Sequence, residues 1–291
     1  MTAVGDASPR ALEIRDLSLS FGGLSALSNV SLTVRAGENV GLVGANGSGK
    51  TSLLNCISGI YQPQQGQIYI GDTLGSGLAP HRIAALGVGR TLQSVEAVRD
   101  MQLLWYVMLG RHQQQHGRVL RYLSGWPALG GAEARERTTA MEQLEAMGLA
   151  GFASMRMSAV PYGIAKLADL ARVLLGEPRV VLLDEPASGL NTDERAQIAE
   201  ILRGIAGAPD RALVVVEHDL TLAARVCDTM LVLGAGKRLA YGKPHEVLAN
   251  PDVVDQLLGG APLMEPLGTE LSTSRTASAE GGTPAHEESS S

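Results

Sequence analysis

The chain has 291 residues, 45% of them hydrophobic and 19% charged, which is enough to bury a sizeable core and excludes a wholly disordered protein. The net charge is −6, and the last 31 residues, with five Glu and one Arg, carry −4 of it. The nearly neutral remainder argues against a dedicated nucleic-acid binder, which would present a basic face. No apolar run reaches the roughly 18–20 residues that cross a bilayer, and residues 1–10 lack the apolar core of a signal peptide.

Two cysteines, Cys56 and Cys227, are too few for a disulfide framework, and their apolar neighbours favour buried free thiols. A reducing compartment fits this usage, so the chain is expected to be cytosolic. Any work at a membrane would then depend on partner proteins.

Short alternations of apolar and polar residues follow a loose lead-in and predict a small antiparallel sheet. The apolar members are Leu12, Ile14, Leu17, Leu19, Val30, Leu32, Val34, Ile68 and Ile70. A more buried strand at 39–43 interrupts this sheet and leads into a Gly-rich turn and a helix at 52–57. Continuous apolar runs at 180–183 and 212–216 predict buried parallel strands, so the expected fold class is α/β.

Residues 95–160 lack strand alternation and are rich in Gln, Arg, Glu, Met and Ala, which predicts an inserted, mostly helical subdomain. Within it, a loop is expected at 125–131 and a helix at 133–147. Pro244 and Pro251 predict the first turns of two short helices, the second ending at 257–259. The expected division is a flexible N-terminus (1–10), a β subdomain with the phosphate-loop part of the core (11–94), a helical subdomain (95–165), the rest of the core (166–259) and a disordered tail (260–291).

Residues 44–51 read GANGSGKT and fit the phosphate-loop pattern G-x-x-x-x-G-K-[ST], between a predicted strand and a predicted helix. Glycines let backbone N–H groups face an anion, and the helix adds its positive N-terminal end. Lys50 would contact the β- and γ-phosphates, and the Thr51 hydroxyl would bind Mg²⁺. A chance Gly-rich turn is the alternative, disfavoured by eight fitting positions. The expected nucleotide-binding residues are Gly44, Asn46, Gly47, Ser48, Gly49, Lys50, Thr51 and Ser52.

Two acids, Asp184 and Glu185, follow the apolar run at 180–183, where a parallel strand ends beside the phosphate loop. Asp184 is predicted to hold Mg²⁺, and Glu185 to orient or deprotonate the attacking water. The alternative is a strand that ends in solvated acids. His218 follows the apolar run of another core strand and is predicted to sense the γ-phosphate, although a lone His is more often structural.

Taken in order, these motifs resemble the ATP-binding subunit of ABC transporters over about residues 11–259. The resemblance rests on the phosphate loop, Gln93, a helical insert, Tyr162-Gly163, Asp184-Glu185, residues 188–191 and His218. Within that family the chain is similar to the ATPases of branched-chain or hydrophobic amino acid importers. The similar segments are GRTLQ (89–93), MLGRH (108–112), VPYGI (160–164) and NPDVVDQLLG (250–259).

The resemblance implies roles for further residues. Phe21 would stack on adenine, and the alternative is a phenylalanine of the core. Gln93 would reach Mg²⁺ and the attacking water, and the alternative is a solvated glutamine in a loop. Tyr162 and Gly163 belong to the signature motif, which acts on the nucleotide of a second subunit. There Pro161 and Ile164 replace the Ser and Gln of the usual Leu-Ser-Gly-Gly-Gln. A helix at 165–175 would still offer its N-terminus to an anion.

The implied activity is ATP hydrolysis, with ATP and Mg²⁺ as cofactors, that powers import of a small hydrophobic or amide-type solute. The implied partners are a second ATPase subunit in a heterodimer, transmembrane permease subunits and, indirectly, an extracytoplasmic solute-binding protein, but no nucleic acid. The chain would lie at the cytoplasmic face of the cell membrane, held peripherally by the permeases. Two alternatives are a soluble ABC-type ATPase that remodels a complex and a weakly hydrolysing regulatory subunit. A nucleotide kinase or GTPase is disfavoured, because it has no use for Gln93, Tyr162-Gly163 and His218 together.

Overall fold

A computed structural model of the chain describes residues 8–92, 98–111, 129–206, 208–251, 253 and 255. Its first sheet is antiparallel and has the strand order β2-β1-β4-β5. These strands are β1 (Arg10–Phe21), β2 (Leu24–Arg35), β4 (Gln65–Ile70) and β5 (Thr73–Leu74). Leu12 pairs with Val34 on one side and Ile70 on the other, and all three are buried. The antiparallel sheet expected from the alternating pattern is confirmed.

The second sheet has six strands in the order β10-β9-β3-β8-β7-β6. They are β3 (Asn39–Val43), β6 (Val88–Arg90), β7 (Val180–Asp184), β8 (Ala212–Val216), β9 (Thr229–Gly234) and β10 (Lys237–Gly242). All neighbours are parallel except β10, which runs antiparallel to β9. Every residue of β3, β7 and β8 is buried, which explains their continuous apolar sequences.

Both faces of the six-stranded sheet are covered, and successive residues of β7 divide between them. Val180 and Leu182 join a core with the antiparallel sheet and the first helix, whereas Val181 and Leu183 join a second core with the inserted helices. Cys56 lies in the first core and Cys227 in the second, and both are buried free thiols, as predicted.

Eight α-helices lie within the described residues. They are α1 (Lys50–Ile57), α2 (Pro80–Ala85), α3 (Leu103–Met108), α4 (Leu129–Ala146), α5 (Tyr162–Leu175), α6 (Thr192–Ala206), α7 (Leu220–Val226) and α8 (Pro244–Leu248), and a 3₁₀ turn spans Ala150–Phe152. Helices α3, α4 and α5 come between β6 and β7, which confirms the helical insert. None of the described helices is both long enough and apolar enough to cross a membrane.

Some predicted boundaries were wrong. The loop expected at 125–131 is helical from Leu129 onward, because packing of Ala140 and Leu144 in the second core stabilises α4 despite glycines in its first turn. Helix α5 begins at Tyr162 rather than at 165, with Pro161 at its N-cap. The division at 165 falls inside this helix, and the domain boundaries remain predictions. Residues 1–7, 125–128 and the predicted tail lie outside the described residues.

Candidate functional site

Three neighbouring strands of the six-stranded sheet end at the same edge. Leu42 of β3 pairs with Val216 of β8, and Val216 pairs in turn with Asp184 of β7. The loop that starts at Gly44, the pair Asp184-Glu185 and the pair Glu217-His218 therefore lie side by side at the carboxyl ends of parallel strands. This edge is where open α/β sheets bind ligands.

The Gly-rich loop is shaped by close packing that only glycine permits. Gly49 is the N-cap of α1 with φ 106°, and a Cβ there would lie 2.7 Å from the Ala26 carbonyl oxygen. A Cβ on Gly44 would collide with the carbonyl of Leu233. Ala45, Asn46, Gly47 and Thr51 are exposed on the outer side of the loop. Helix α1 starts at Lys50, two residues earlier than predicted, so its N-terminal amides face the loop.

Lys50 lies inside this loop and is 7% exposed. Its ammonium nitrogen donates to the carbonyl oxygens of Gly44 and Ala45 at 2.7 and 2.9 Å. Burial lowers the pKa of Lys50, and the carboxylates of Glu185 and Asp184 oppose that shift. The buried hydroxyl oxygen of Ser48 has no hydrogen-bond partner among the described residues, which is the feature expected where an anion's oxygen is to be bound.

Asp184 is buried and paired with an arginine that sequence reasoning had not singled out. Its Oδ2 accepts a hydrogen bond from Arg90 Nη2 at 3.0 Å. The other terminal nitrogen of Arg90 donates to Asn55 Oδ1 and Ser58 Oγ, at 2.7 and 2.8 Å, so the guanidinium is fixed against α1. Arg90 lies in the GRTLQ segment quoted above. The sequence feature that could have identified it is a charged residue at the end of a strand.

Glu185 follows Asp184 with a left-handed backbone, φ 49°, which turns the chain sharply at the end of β7. Its amide donates to the Val216 carbonyl at 3.0 Å, and its own carbonyl accepts from Lys166 Nζ at 3.1 Å. The strained backbone is thus held by both β8 and α5, and Glu185 is half-buried at the site edge.

His218 is exposed at the end of β8, next to a buried acid. That acid, Glu217, is 1% exposed, and its carboxylate accepts from the Ala187 amide at 3.0 Å. Burial raises the pKa of Glu217, although the hydrogen bond from Ala187 opposes the shift. Sequence reasoning did not assign Glu217 a role, although a charged residue directly after a buried strand marks it.

Tyr162 and Gly163, in the first turn of α5, contact the loop after β7 within the same chain. A Cβ on Gly189 would lie 3.0 Å from Tyr162 Cε1, so the exposed Tyr162 ring lies against that glycine. Gly163 is buried, and a Cβ there would lie 2.6 Å from Glu194 Oε1. Residues 160–164 and 188–194 therefore form one surface next to Glu185.

Two further sequence-predicted residues are Phe21 and Gln93. Phe21 is 46% exposed and makes an edge-to-face contact with Tyr61 at a centroid distance of 5.1 Å. The alternative of a core phenylalanine is therefore wrong. Gln93 lies outside the described residues, which stop at Leu92 before the gap.

Comparison with known proteins agrees with this geometry. The ABC transporter family model matches residues 27–188. The branched-chain amino acid transport ATP-binding protein LivG of Salmonella typhimurium is 35% identical over 250 residues, covering 86% of this chain and 98% of LivG. BraF of Pseudomonas aeruginosa, a protein with the same description, is 33% identical with the same coverage. These relatives favour a transporter subunit over a soluble remodelling ATPase.

The fold matches solved ATP-binding cassettes. The ADP conformation of MJ1267, an ATP-binding cassette of an ABC transporter, superposes with a TM-score of 0.74 at 23% identity, covering 87% of this chain and 99% of that one. The matched fold, the family model and the near full-length relatives agree. The chain therefore belongs to the ABC transporter family, within which it is an ATP-hydrolysing importer subunit.

Proposed function

We propose that the chain binds MgATP at the edge formed by residues 44–51, Asp184 and Glu185. Hydrolysis of this ATP would drive import of a hydrophobic amino acid or related amide. The observation that carries the proposal is the register of Leu42, Val216 and Asp184 across three parallel strands. It brings a phosphate loop, two carboxylates and His218 to one edge. The similarity to LivG and BraF supports the solute class.

The phosphate groups would be held by the loop and by Lys50. The Lys50 ammonium now donates to the carbonyls of Gly44 and Ala45. When ATP binds, its β- and γ-phosphate oxygens would replace these carbonyls as the acceptors. The amides of Asn46, Gly47 and Gly49, with the start of α1, would add further donors, and the Ser48 hydroxyl, unpartnered among the described residues, would complete them.

A magnesium ion fits this donor set, because the hydroxyl of Thr51 and the carboxylate of Asp184 are oxygen ligands flanking the phosphate loop. When bound, Mg²⁺ would neutralise charge on the phosphate oxygens. Ser52 and Gln93 are the remaining residues that we assign to the site. Gln93 would be a further Mg²⁺ ligand and would reach the attacking water.

Glu185 would orient or deprotonate the water that attacks the γ-phosphorus. Its backbone is held by Val216 and Lys166, so the carboxylate is aimed by both β8 and α5. His218 would contact the γ-phosphate and sense its loss. Phe21, exposed at the end of β1, would stack on adenine, since the following strand passes the phosphate loop at Ala26.

Permease subunits would contact a groove of about 1150 Å³ beside Leu92, between the core and the inserted helices. Three large apolar side chains are exposed along it, Ile60, Leu92 and Leu109. An exposed apolar patch of this kind marks a protein interaction site. The chain would then lie at the cytoplasmic face of the membrane, and an extracytoplasmic solute-binding protein would deliver the solute.

The second ATPase subunit would be a different chain. Pro161 and Ile164 lack the hydroxyl and amide of the usual signature motif, so the site that this motif closes would turn over more slowly. The competent site would combine Lys50, Glu185 and His218 of this chain with the partner's signature motif.

The test uses the full complex with its permeases in proteoliposomes. Glu185→Gln in this chain should abolish most ATP turnover and leucine uptake, while the corresponding change in the other ATPase subunit should reduce them less. Glu142→Gln, on the exposed face of α4, is the matched control. Equal losses from the two site variants would reject the asymmetric dimer, and uptake unaffected by Glu185→Gln would reject the site.

A further inference from the structure

A buried carboxylate joins the inserted helices to the chain segment that leads to Gln93. Asp169 of α5 is 2% exposed, and both its oxygens accept hydrogen bonds. Oδ1 accepts from the Tyr106 hydroxyl of α3 at 2.5 Å and from Arg172 Nε at 2.8 Å. Oδ2 accepts from the backbone amide of Leu92 at 2.6 Å. Asp169 is therefore the point where α3, α5 and the end of β6 meet.

The same network continues to the carboxylate that faces the nucleotide. Arg172 Nη2 donates to the Arg90 carbonyl at 2.8 Å, while the Arg90 side chain is paired with Asp184. Between them, the Thr91 amide donates to the Leu182 carbonyl at 3.1 Å, and the Asp184 amide donates to Thr91 Oγ1 at 3.2 Å. Arg90 is thus held by both β7 and α5, Thr91 by β7 and Leu92 by α5.

This connection is rigid for physical reasons. Burial and the neighbouring Asp169 carboxylate raise the pKa of Tyr106, so its hydroxyl stays protonated and donates. Charge-assisted hydrogen bonds in a low-dielectric interior are short and directional, and the planar Arg172 fork fixes two acceptors at once. A shift of α3 or α5 must therefore carry residues 90–92 with it or break buried charged hydrogen bonds.

We propose that Asp169, Arg172 and Tyr106 are positioning residues that transmit movement of the helical insert to Asp184 and to the segment entering Gln93. The inference rests on the proposed role of Asp184 in binding MgATP. A network that served stability alone would not set the rate of hydrolysis or its dependence on Mg²⁺.

The first measurement is hydrogen exchange of the Leu92 amide in the nucleotide-free full chain. Tyr106→Phe keeps the ring and removes the hydroxyl that donates to Asp169 and accepts from Arg172 Nε at 3.2 Å, so Leu92 exchange should rise about tenfold, the effect of weakening one charge-assisted bond. Tyr69→Phe is the matched control, because its hydroxyl makes an exposed hydrogen bond to Gln67 of β4. Arg172→Lys keeps the charge without the planar fork and should act like Tyr106→Phe.

The second measurement is ATP turnover in the assembled complex. Tyr106→Phe should lower kcat about tenfold and raise the Mg²⁺ concentration for half-maximal rate, while KM for ATP and ADP affinity in EDTA stay within about twofold. Two results would overturn the inference, provided that the wild-type protein binds MgATP. One is unchanged Leu92 exchange in both variants, and the other is faster exchange with unchanged kcat and Mg²⁺ dependence. Wild-type protein that bound no MgATP would overturn the proposed function and this inference with it.

Discussion

The Glu217 carboxylate at the end of β8 accepts a hydrogen bond from the Ala187 amide, 3.0 Å away in the loop that follows Glu185. A buried acid thus connects the strand that presents His218 with the loop that carries the proposed base. Burial raises its pKa above the ordinary 4.5, so the folded protein binds this proton more tightly than the unfolded chain.

The stability that Glu217 contributes is therefore fully present below pH 4.5 and is lost as the pH rises through its folded-state pKa. Glu217→Gln keeps an acceptor for Ala187 and does not titrate. The Tm of the variant, relative to wild type, should rise as the pH increases from 4.5 to neutrality. Scanning calorimetry across this range checks the sign, with the exposed Glu142→Gln as control, and a pH-independent difference would contradict it.

Lys50→Ala should remove the ammonium that the loop carbonyls now hold, and with it the positive charge at the phosphates. The expected loss is about 3 kcal/mol of transition-state stabilisation, or more than a hundredfold in kcat/KM. Steady-state ATP turnover of the complex measures it. Lys237→Ala, an exposed lysine of β10, should leave turnover unchanged, and wild-type rates in Lys50→Ala would refute the assignment.

Two glycines of the phosphate loop should respond differently to alanine. Gly47 has φ 78°, and no described residue lies within 4 Å of where its Cβ would be, so Gly47→Ala should cost about 1–2 kcal/mol of backbone strain. Gly49→Ala should cost about 1–3 kcal/mol more, because its Cβ would lie 2.7 Å from the Ala26 carbonyl. Urea unfolding of the two variants compares them directly. Equal midpoints would show that contact with β2 does not shape the loop.

Pro161 occupies the N-cap of α5 without a side-chain hydrogen bond to the helix. Pro161→Ser would supply an acceptor for an orphan amide of the first turn and should raise the free energy of unfolding by about 0.5–2 kcal/mol. Pro244 lies at the first position of α8, where proline is favoured, so Pro244→Ser should bring no such gain. A gain at both positions, or at neither, would contradict the capping argument.

The parallel strands and the phosphate loop were predictable because their patterns are local. Strands β3 and β8 have the bounds that their apolar runs indicate, and the turn between β3 and α1 follows from its glycines. The roles of Arg90, Glu217 and Asp169 were not predictable, because each depends on partners far away in sequence. Asp169 on a helix reads as a solvated acid until Tyr106 and the Leu92 amide are brought against it.

The start of α5 was mispredicted for a related reason. The helix was expected to begin at 165, after Pro161 and Gly163, yet Pro161 is its N-cap and Gly163, in the first turn, fits closely beside Glu194. Only the packing of α6 against this turn shows that the glycine marks a close contact and not a break.

The two buried thiols have a practical consequence. Burial raises the pKa of Cys56 to about 11 and that of Cys227 to about 12, so neither forms the reactive thiolate at neutral pH. Maleimide dyes should leave the unaltered protein unlabelled. One cysteine added on the exposed face of α4 and another at the tip of the β1–β2 hairpin would then accept a donor–acceptor pair, and single-molecule fluorescence would measure whether the distance between the inserted helices and the antiparallel sheet changes during each turnover.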